Sequence, residues 1–396
     1  MRIVNSTPNV LKEKLDSAIQ EVVSDFQENY HISNHNPDFS RKRVLTMETV
    51  INLLLSMQGG SLKKELYDAG VSVSASAFVQ QRDKIPWTVM EEIFENFNSK
   101  CKDTKTYKGY RVLAIDGTTI NMARNPKSDS FVINTSTPKG YNQLHVNPLY
   151  DVLNKTYQYC VIQPQPQQDE VGALLFMIKW YDFKEKTLIV ADRGYESYNV
   201  FAHIQNTPNT DFLIRVKQDR TAMREIGKLP MMELDKDVSF TITTTQTKED
   251  KENGYILLQT RKKEDRIYSS KTRAGRWGIE TAFRELKYGI GLVNLHGKKD
   301  DFVRQEIFSA MIMSNFCSRI VNEVVVQKND ANIHEYKVNM TMAIHICRQF
   351  FRTKDADTKK LLQDIARYTE PVRPGRRDER NIKAKTFVGF IYRVSA

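Results

Sequence analysis

The chain has 396 residues, room for two or three domains, and its 40% hydrophobic content excludes a globally disordered polymer. With 59 Lys and Arg against 48 Asp and Glu, the formal charge is +11, which favours a polyanionic partner, nucleic acid before an anionic membrane. Cys101, Cys160, Cys317 and Cys347 stand far apart without CxxC spacing, which speaks against a zinc ribbon or disulfide framework and for a reduced cytosolic setting. The start resembles no signal peptide, and no apolar run approaches the roughly 18 residues of a membrane span.

The first elements read as helices. Residues 8–29 place Leu11, Leu15, Ile19, Val22 and Phe26 on one face. After the basic cluster Arg41-Lys42-Arg43, Thr46 is the expected N-cap of METVINLLLSM, stopped by Gly59-Gly60. Ser61 opens SLKKELYDAG, Ser74 or a neighbouring serine opens the next helix, and Pro86 opens PWTVMEEIFENFNSKCK. Short helices joined by glycine turns fit a helix-turn-helix-like DNA-docking module or plain helical packing.

From residue 110 the rhythm changes. RVLAID and TLIVAD are short apolar strands that each end in a carboxylate, Asp116 and Asp192. Between them LHVNPLYDVLN and TYQYCVIQP form a hairpin across Asn154-Lys155, and DEVGALLFMIKWY has helical spacing. ESYNVFAHI reads as a further helix and DFLIRVK as a strand. This alternation predicts a mixed α/β core with a partly parallel sheet. Residues 218–268 carry β-branched, alternating segments, VSFTITTTQ and GYILLQTRK, around the turn KEDKENG, and read as a small β insertion. A charged helix over 272–288 and a long apolar helix over 302–325 follow. The tail PVRPGRRDERNIKAK is an extended basic segment.

Two aspartates at the carboxyl ends of neighbouring strands can converge on a hard divalent cation, Mg²⁺ or Mn²⁺. Strands also end in Asp merely because Asp favours the turn that follows. The helix TRAGRWGIETAFRELKY adds a third carboxylate. Arg276, Glu280 and Lys287 fall within roughly 20–60° of one another on a helical wheel, while Ile279, Phe283 and Leu286 occupy the opposite side. A glutamate flanked by two cations on one face suits metal ligation beside phosphate oxygens, and it equally suits a solvated face stitched by an Arg276–Glu280 pair. His145 and His296 read as structural or exposed, and Cys160 and Cys317 as core thiols.

The string RWGIETAFRELKYGIGLVNLHGKK resembles the signature of bacterial insertion-sequence transposases of the DDE type, and more narrowly the family named after insertion sequence four. That pattern runs tyrosine, two residues, arginine, three residues, glutamate, six residues, lysine. Arg276, Glu280 and Lys287 match it, and Arg273 stands where the tyrosine would be. AIDGTT and VADRGYES are similar to the family's two aspartate strands, and the likeness covers roughly residues 38 to 380.

The resemblance implies an RNase H-like mixed-sheet catalytic core at 106–325 with the β insertion inside it. A helical DNA-binding region at 1–105 would precede the core, and helices and a basic tail at 326–396 would follow. It implies two Mg²⁺ or Mn²⁺ ions held by Asp116, Asp192 and Glu280. Arg276, Lys287, Arg273, Arg193 and Arg284 would bind DNA, although Arg193 equally suits orienting a carboxylate. The implied partners are double-stranded DNA, as terminal inverted repeats and target, and a second copy of the chain. The activity would be end cleavage and strand transfer through a hairpin. A silent DNA-binding regulator or a nuclease of the same core are the alternatives. A flipped-base stacking role found in related enzymes has no tryptophan in this insertion, leaving Tyr255 as a candidate.

Overall fold

The computed structural model describes residues 7–34, 39, 43–135, 137–216, 230, 234–242, 261–269, 278–292, 294–326, 334–353 and 356–372. Five helices lead the chain: α1 (Thr7–Asn34), α2 (Met47–Ser56), α3 (Leu62–Asp68), α4 (Ala75–Arg82) and α5 (Trp87–Lys100). Their starts follow local capping chemistry. The side chains of Thr46, Ser61 and Ser74 accept hydrogen bonds from the backbone N–H three residues on, and Pro86 precedes α5.

A seven-stranded mixed sheet follows, built on the long strand β4 (Thr137–Asp151). One edge of β4 pairs antiparallel with β1 (Arg111–Ile115) and then β2 (Thr118–Met122), while β5 (Thr156–Pro164) and β3 (Phe131–Asn134) also pair with it antiparallel. β1 continues the sheet by pairing parallel with β6 (Thr187–Ala191), and β6 pairs parallel with β7 (Thr210–Ile214). Helices α6 (Glu170–Trp180) and α7 (Tyr198–Asn206) fill the connections.

Apolar clusters cover both faces of the sheet. On one, Leu113, Ile115, Leu149, Ile189 and Ala191 pack with Leu174, Ile178, Val200 and Ile204 of α6 and α7. On the other, Ala114, Ile120, Leu144 and Tyr150 join the leading helices and the later ones in a larger core. Those later helices are α8 (Gly278–Arg284), α9 (Asp300–Val321), α10 (Met340–Arg352) and α11 (Thr358–Arg367). Strand β1 is also pinned at its start. Arg111 Nε donates to Asp151 Oδ2 at 2.8 Å, and its guanidinium reaches Asp103 at 3.2 Å, which in turn binds Arg319 of α9 at 3.1 Å.

A two-stranded antiparallel sheet, β8 (Leu234–Ile242) and β9 (Arg261–Ser269), lies between β7 and α8 in sequence. Of the expected strand GYILLQTRK only Arg261 and Lys262 are among the described residues, both in β9; the turn KEDKENG and Tyr255 fall outside them. The antiparallel pairing, from Leu234 with Ser269 to Ile242 with Arg261, centres on the expected turn. A short pair, β10 (Tyr336–Val338) and β11 (Thr369–Pro371), closes the described fold. No helix among the described residues is long and apolar enough to cross a membrane.

Candidate active site

The parallel register of β1 and β6 places the two aspartates. Arg111 faces Thr187 and Ala114 faces Val190, and the same step carried past the strand ends aligns Asp116 with Asp192 on neighbouring strands. In the two-residue pleat Asp116 has the phase of Ala114, whose face carries α8. Each side chain then ties down its own loop. Asp116 Oδ1 accepts from the N–H of Gly117 at 2.9 Å, and Asp192 Oδ1 from that of Gly194 at 2.7 Å.

Asp116 does not end its strand in the simple sense expected. Leu113 faces Asp151 and Met122 faces Asn142, so β1 and β2 share one register along β4 across Asp116-Gly117. The N–H of Val152 donates to Val112 O, and counting by twos makes Asp116 and Pro148 a pair of the hydrogen-bonded type. Pro148 has no N–H to give. The ladder opens at the aspartate and resumes at Thr118.

Helix α8 packs on β1 with Ile279, Ala282, Phe283 and Leu286 buried, as the helical wheel required. Its last turn widens into a π-helix over Glu285–Gly289, with Ile290 N–H donating to Glu285 O at 2.8 Å. Such single π turns recur at functional sites. The turn shifts Lys287 around the axis from its regular α-helical position. Lys287 Nζ donates to Thr118 Oγ1 at 2.6 Å, which sets a cation two residues from Asp116. Glu280 lies in α8, but its side chain is outside the described residues, as are Arg273 and Arg276. Arg193 and Arg284 are exposed.

Three groups that the sequence reading left aside meet at the same place. Glu170, the first residue of α6, presents Oε1 3.0 Å from His145 Nε2, off the line of an ideal hydrogen bond. That ring nitrogen is the main reason the Glu170 carboxyl titrates below its ordinary value. Tyr195 is fully buried, and its hydroxyl has no hydrogen-bond partner among the described residues. Burial first, then the charges of Glu170, Asp116 and Asp192, push its phenol well above the ordinary 10. His145, expected to be structural or exposed, is buried within β4, where it pairs with Thr119.

Among the described residues no three His, Cys, Asp or Glu side chains form a preset metal cage. The donor chemistry nonetheless fits a hard divalent cation. The loops that follow β1 and β6 carry carboxylates, hard oxygen donors, and the buried Tyr195 hydroxyl within their electrostatic reach has no hydrogen-bond partner among the described residues.

Residues 107–316 match the protein family described as "Transposase DDE domain", a span that contains Asp116, Asp192 and Glu280. No curated protein sequence matches the chain. Among solved structures, a cryo-EM structure of a piggyBac transposase synaptic complex with hairpin DNA is similar, at 12% identity and a TM-score of 0.39. The similarity covers 91% of this chain and 79% of that one. Because the family match spans more than half of its residues, the chain belongs to the transposase DDE domain family.

Proposed function

We propose that this transposase is of the insertion sequence four type, cutting DNA at transposon ends and joining the freed ends to target DNA through a hairpin. The observation that carries the reading is the register of β1 with β6, which sets Asp116 beside Asp192. The order of the central strands, β5, β4, β1, β6 and β7, with the last three parallel, supports an RNase H-like core.

Asp116, Asp192 and Glu280 are the residues that would hold the divalent ions, Mg²⁺ or Mn²⁺. When bound, such ions polarise the attacking water or 3′-hydroxyl and stabilise the leaving oxygen at phosphorus. Asp116 is the residue we assign to both ions, with Asp192 and Glu280 each serving one. Lys287, on the widened turn, supplies charge for a phosphate next to the strand that follows Asp116. Arg276, Arg273, Arg193 and Arg284 are further backbone contacts. The helical region 1–105 docks the ends, 106–325 carries the chemistry, and 326–396 adds helices and a basic tail. The enzyme acts as a dimer on paired ends.

The test is cleavage of a plasmid bearing the flanking inverted repeats in Mg²⁺. Wild type should cut at the ends, while Asp116→Ala and Glu280→Ala should bind the ends without cutting. Cutting by either variant overturns the assignment of that residue. Binding without cutting by wild type makes the chain a DNA-binding regulator.

A further inference from the structure

The room around two glycines locates Glu170 near both aspartate loops. A methyl group added at Gly117 would stand 2.4 Å from Glu170 Oε1 and 2.4 Å from His145 Nε2. One added at Gly194 would stand 3.9 Å from Glu170 Oε2 and 3.0 Å from Asp192 Oδ1. One carboxylate oxygen therefore lies against the residue that follows Asp116. The other turns toward the loop that follows Asp192. Helix α6 fixes this position from the opposite face of the sheet to α8: it packs on β4, β5 and the Arg193–Tyr195 turn, and Asp169 caps it.

The two oxygens differ in what surrounds them. Oε1 is occupied by His145 and by Gln168 Nε2 at 3.3 Å. His145 cannot swing away, because its side chain is 3% exposed and sits within β4. Its Nδ1 has no hydrogen-bond partner among the described residues. Glu170 itself remains a third exposed. The Tyr195 hydroxyl, within electrostatic reach of Glu170, Asp116 and Asp192, is buried and without a hydrogen-bond partner among the described residues.

We propose that Glu170, oriented by His145, is a further carboxylate of the cation-binding site, acting on the divalent ion through Oε2 from the side of the sheet opposite Glu280. This rests on the reading of Asp116 and Asp192 as the cation-holding pair. A helix-start glutamate also has a purely local use, since negative charge is favoured at a helix N-terminus. That role would not give one oxygen to a buried histidine and aim the other at the second aspartate loop. Outer carboxylates and their histidines tune metal affinity by about 10–100-fold.

The experiment measures Mn²⁺ binding to the full chain by the paramagnetic resonance of the free ion, without DNA. Thermal melting in EDTA runs alongside. Wild type, Asp116→Asn and Glu170→Gln are compared. The expected result is strong loss of binding in Asp116→Asn and about tenfold or greater weakening in Glu170→Gln, with the melting of Glu170→Gln in EDTA unchanged. Asp116→Asn losing the ion while Glu170→Gln binds as wild type overturns the role of Glu170 and leaves the aspartate pair standing. Unchanged binding in Asp116→Asn removes the pair, and the proposal with it. A lower melting temperature in EDTA with unaltered affinity makes Glu170 a structural residue only. Should the glutamine variant fail to fold, Glu170→Ala takes its place under the same outcomes.

Discussion

Gly117→Ala probes the packing beneath the aspartates directly. Gly117 is not among the glycines with positive φ, so its backbone suits any residue and the restriction is one of room. The new methyl would meet Glu170 Oε1 and His145 Nε2 at 2.4 Å each, with His145 Cε1 at 2.8 Å. An ordinary carbon–oxygen contact is about 3.3 Å, so each neighbour must retreat by close to 1 Å. Glu170 can turn outward, whereas His145 is held in a buried strand. Overpacking of this kind costs about 1–3 kcal/mol, and the loss of unfolded-state freedom returns about 0.4–1 kcal/mol. The net expectation is destabilisation of about 1–2 kcal/mol, read by urea unfolding in EDTA. In a Glu170→Ala background the same substitution should cost less, because one of the two blocking groups is gone, and the difference is a coupling energy between the sites. Stability of Gly117→Ala within about 0.5 kcal/mol of wild type, the range of indifferent surface changes, would refute the close packing of Glu170 and His145 against this loop.

Two further predictions concern the rest of the fold. Arg82 is buried and donates to Gln305 Oε1 at 2.6 Å, Glu306 Oε1 at 2.9 Å and Phe302 O at 2.5 Å, tying α4 to α9. Arg82→Ala should cost about 1–3 kcal/mol in denaturant unfolding, because Gln305 Oε1 and Phe302 O lose their buried donor while Glu306 keeps the N–H groups of His296 and Gly297, and Glu306→Gln in the same chain should recover part of it. Glu91 titrates at about 7, raised first by burial and then by Glu95 and Glu92. A carboxyl raised in the folded state keeps its proton after the unfolded chain has lost it, so stability falls as pH rises from 4.5 and levels off above about 7. Glu91→Gln should therefore raise the denaturation midpoint at pH 8 and leave it near wild type at pH 4, and an equal gain at both pH values would refute this account.

The legible parts of the fold are those whose cause is local. Thr46, Ser61, Ser74 and Pro86 each begin a helix as read, because capping involves atoms within one turn. The apolar runs before Asp116 and Asp192, the β4–β5 hairpin and the long α9 are strong enough patterns to survive any tertiary setting. Strand β2 escaped because Thr118–Met122 follows a glycine that reads as a terminator. Only the continued register on β4 reveals that the strand resumes. The π turn of α8 escaped for a similar reason. Nothing in ELKYG departs from helical composition, and the widening is visible only in the Ile290-to-Glu285 bond.

The candidate site shows the same division more sharply. Asp116, Asp192 and Lys287 are marked by strand ends and helical spacing, and the fold brings their backbones to one end of the sheet. Glu170 carries no such mark: it opens an apolar helix whose pattern, read alone, points only to a core. His145 lies on β4 amid buried residues and looks like a structural histidine. Their relation to the aspartates depends on two register facts, the pairing of His145 with Thr119 and the parallel step between β1 and β6. It depends also on two glycines: at Gly117, next after Asp116, a side chain would press on Glu170 and His145, and at Gly194, two residues after Asp192, on Asp192. A glycine after a strand-end aspartate reads from sequence as a turn; here Gly117 makes room for a carboxylate from the other face of the sheet. If that room serves the cation, enlarging residue 117 and neutralising residue 170 should weaken Mn²⁺ binding in the same direction and by less than their sum when combined, since both act through one oxygen. Additive losses would mean that the glycine and the glutamate serve the site separately.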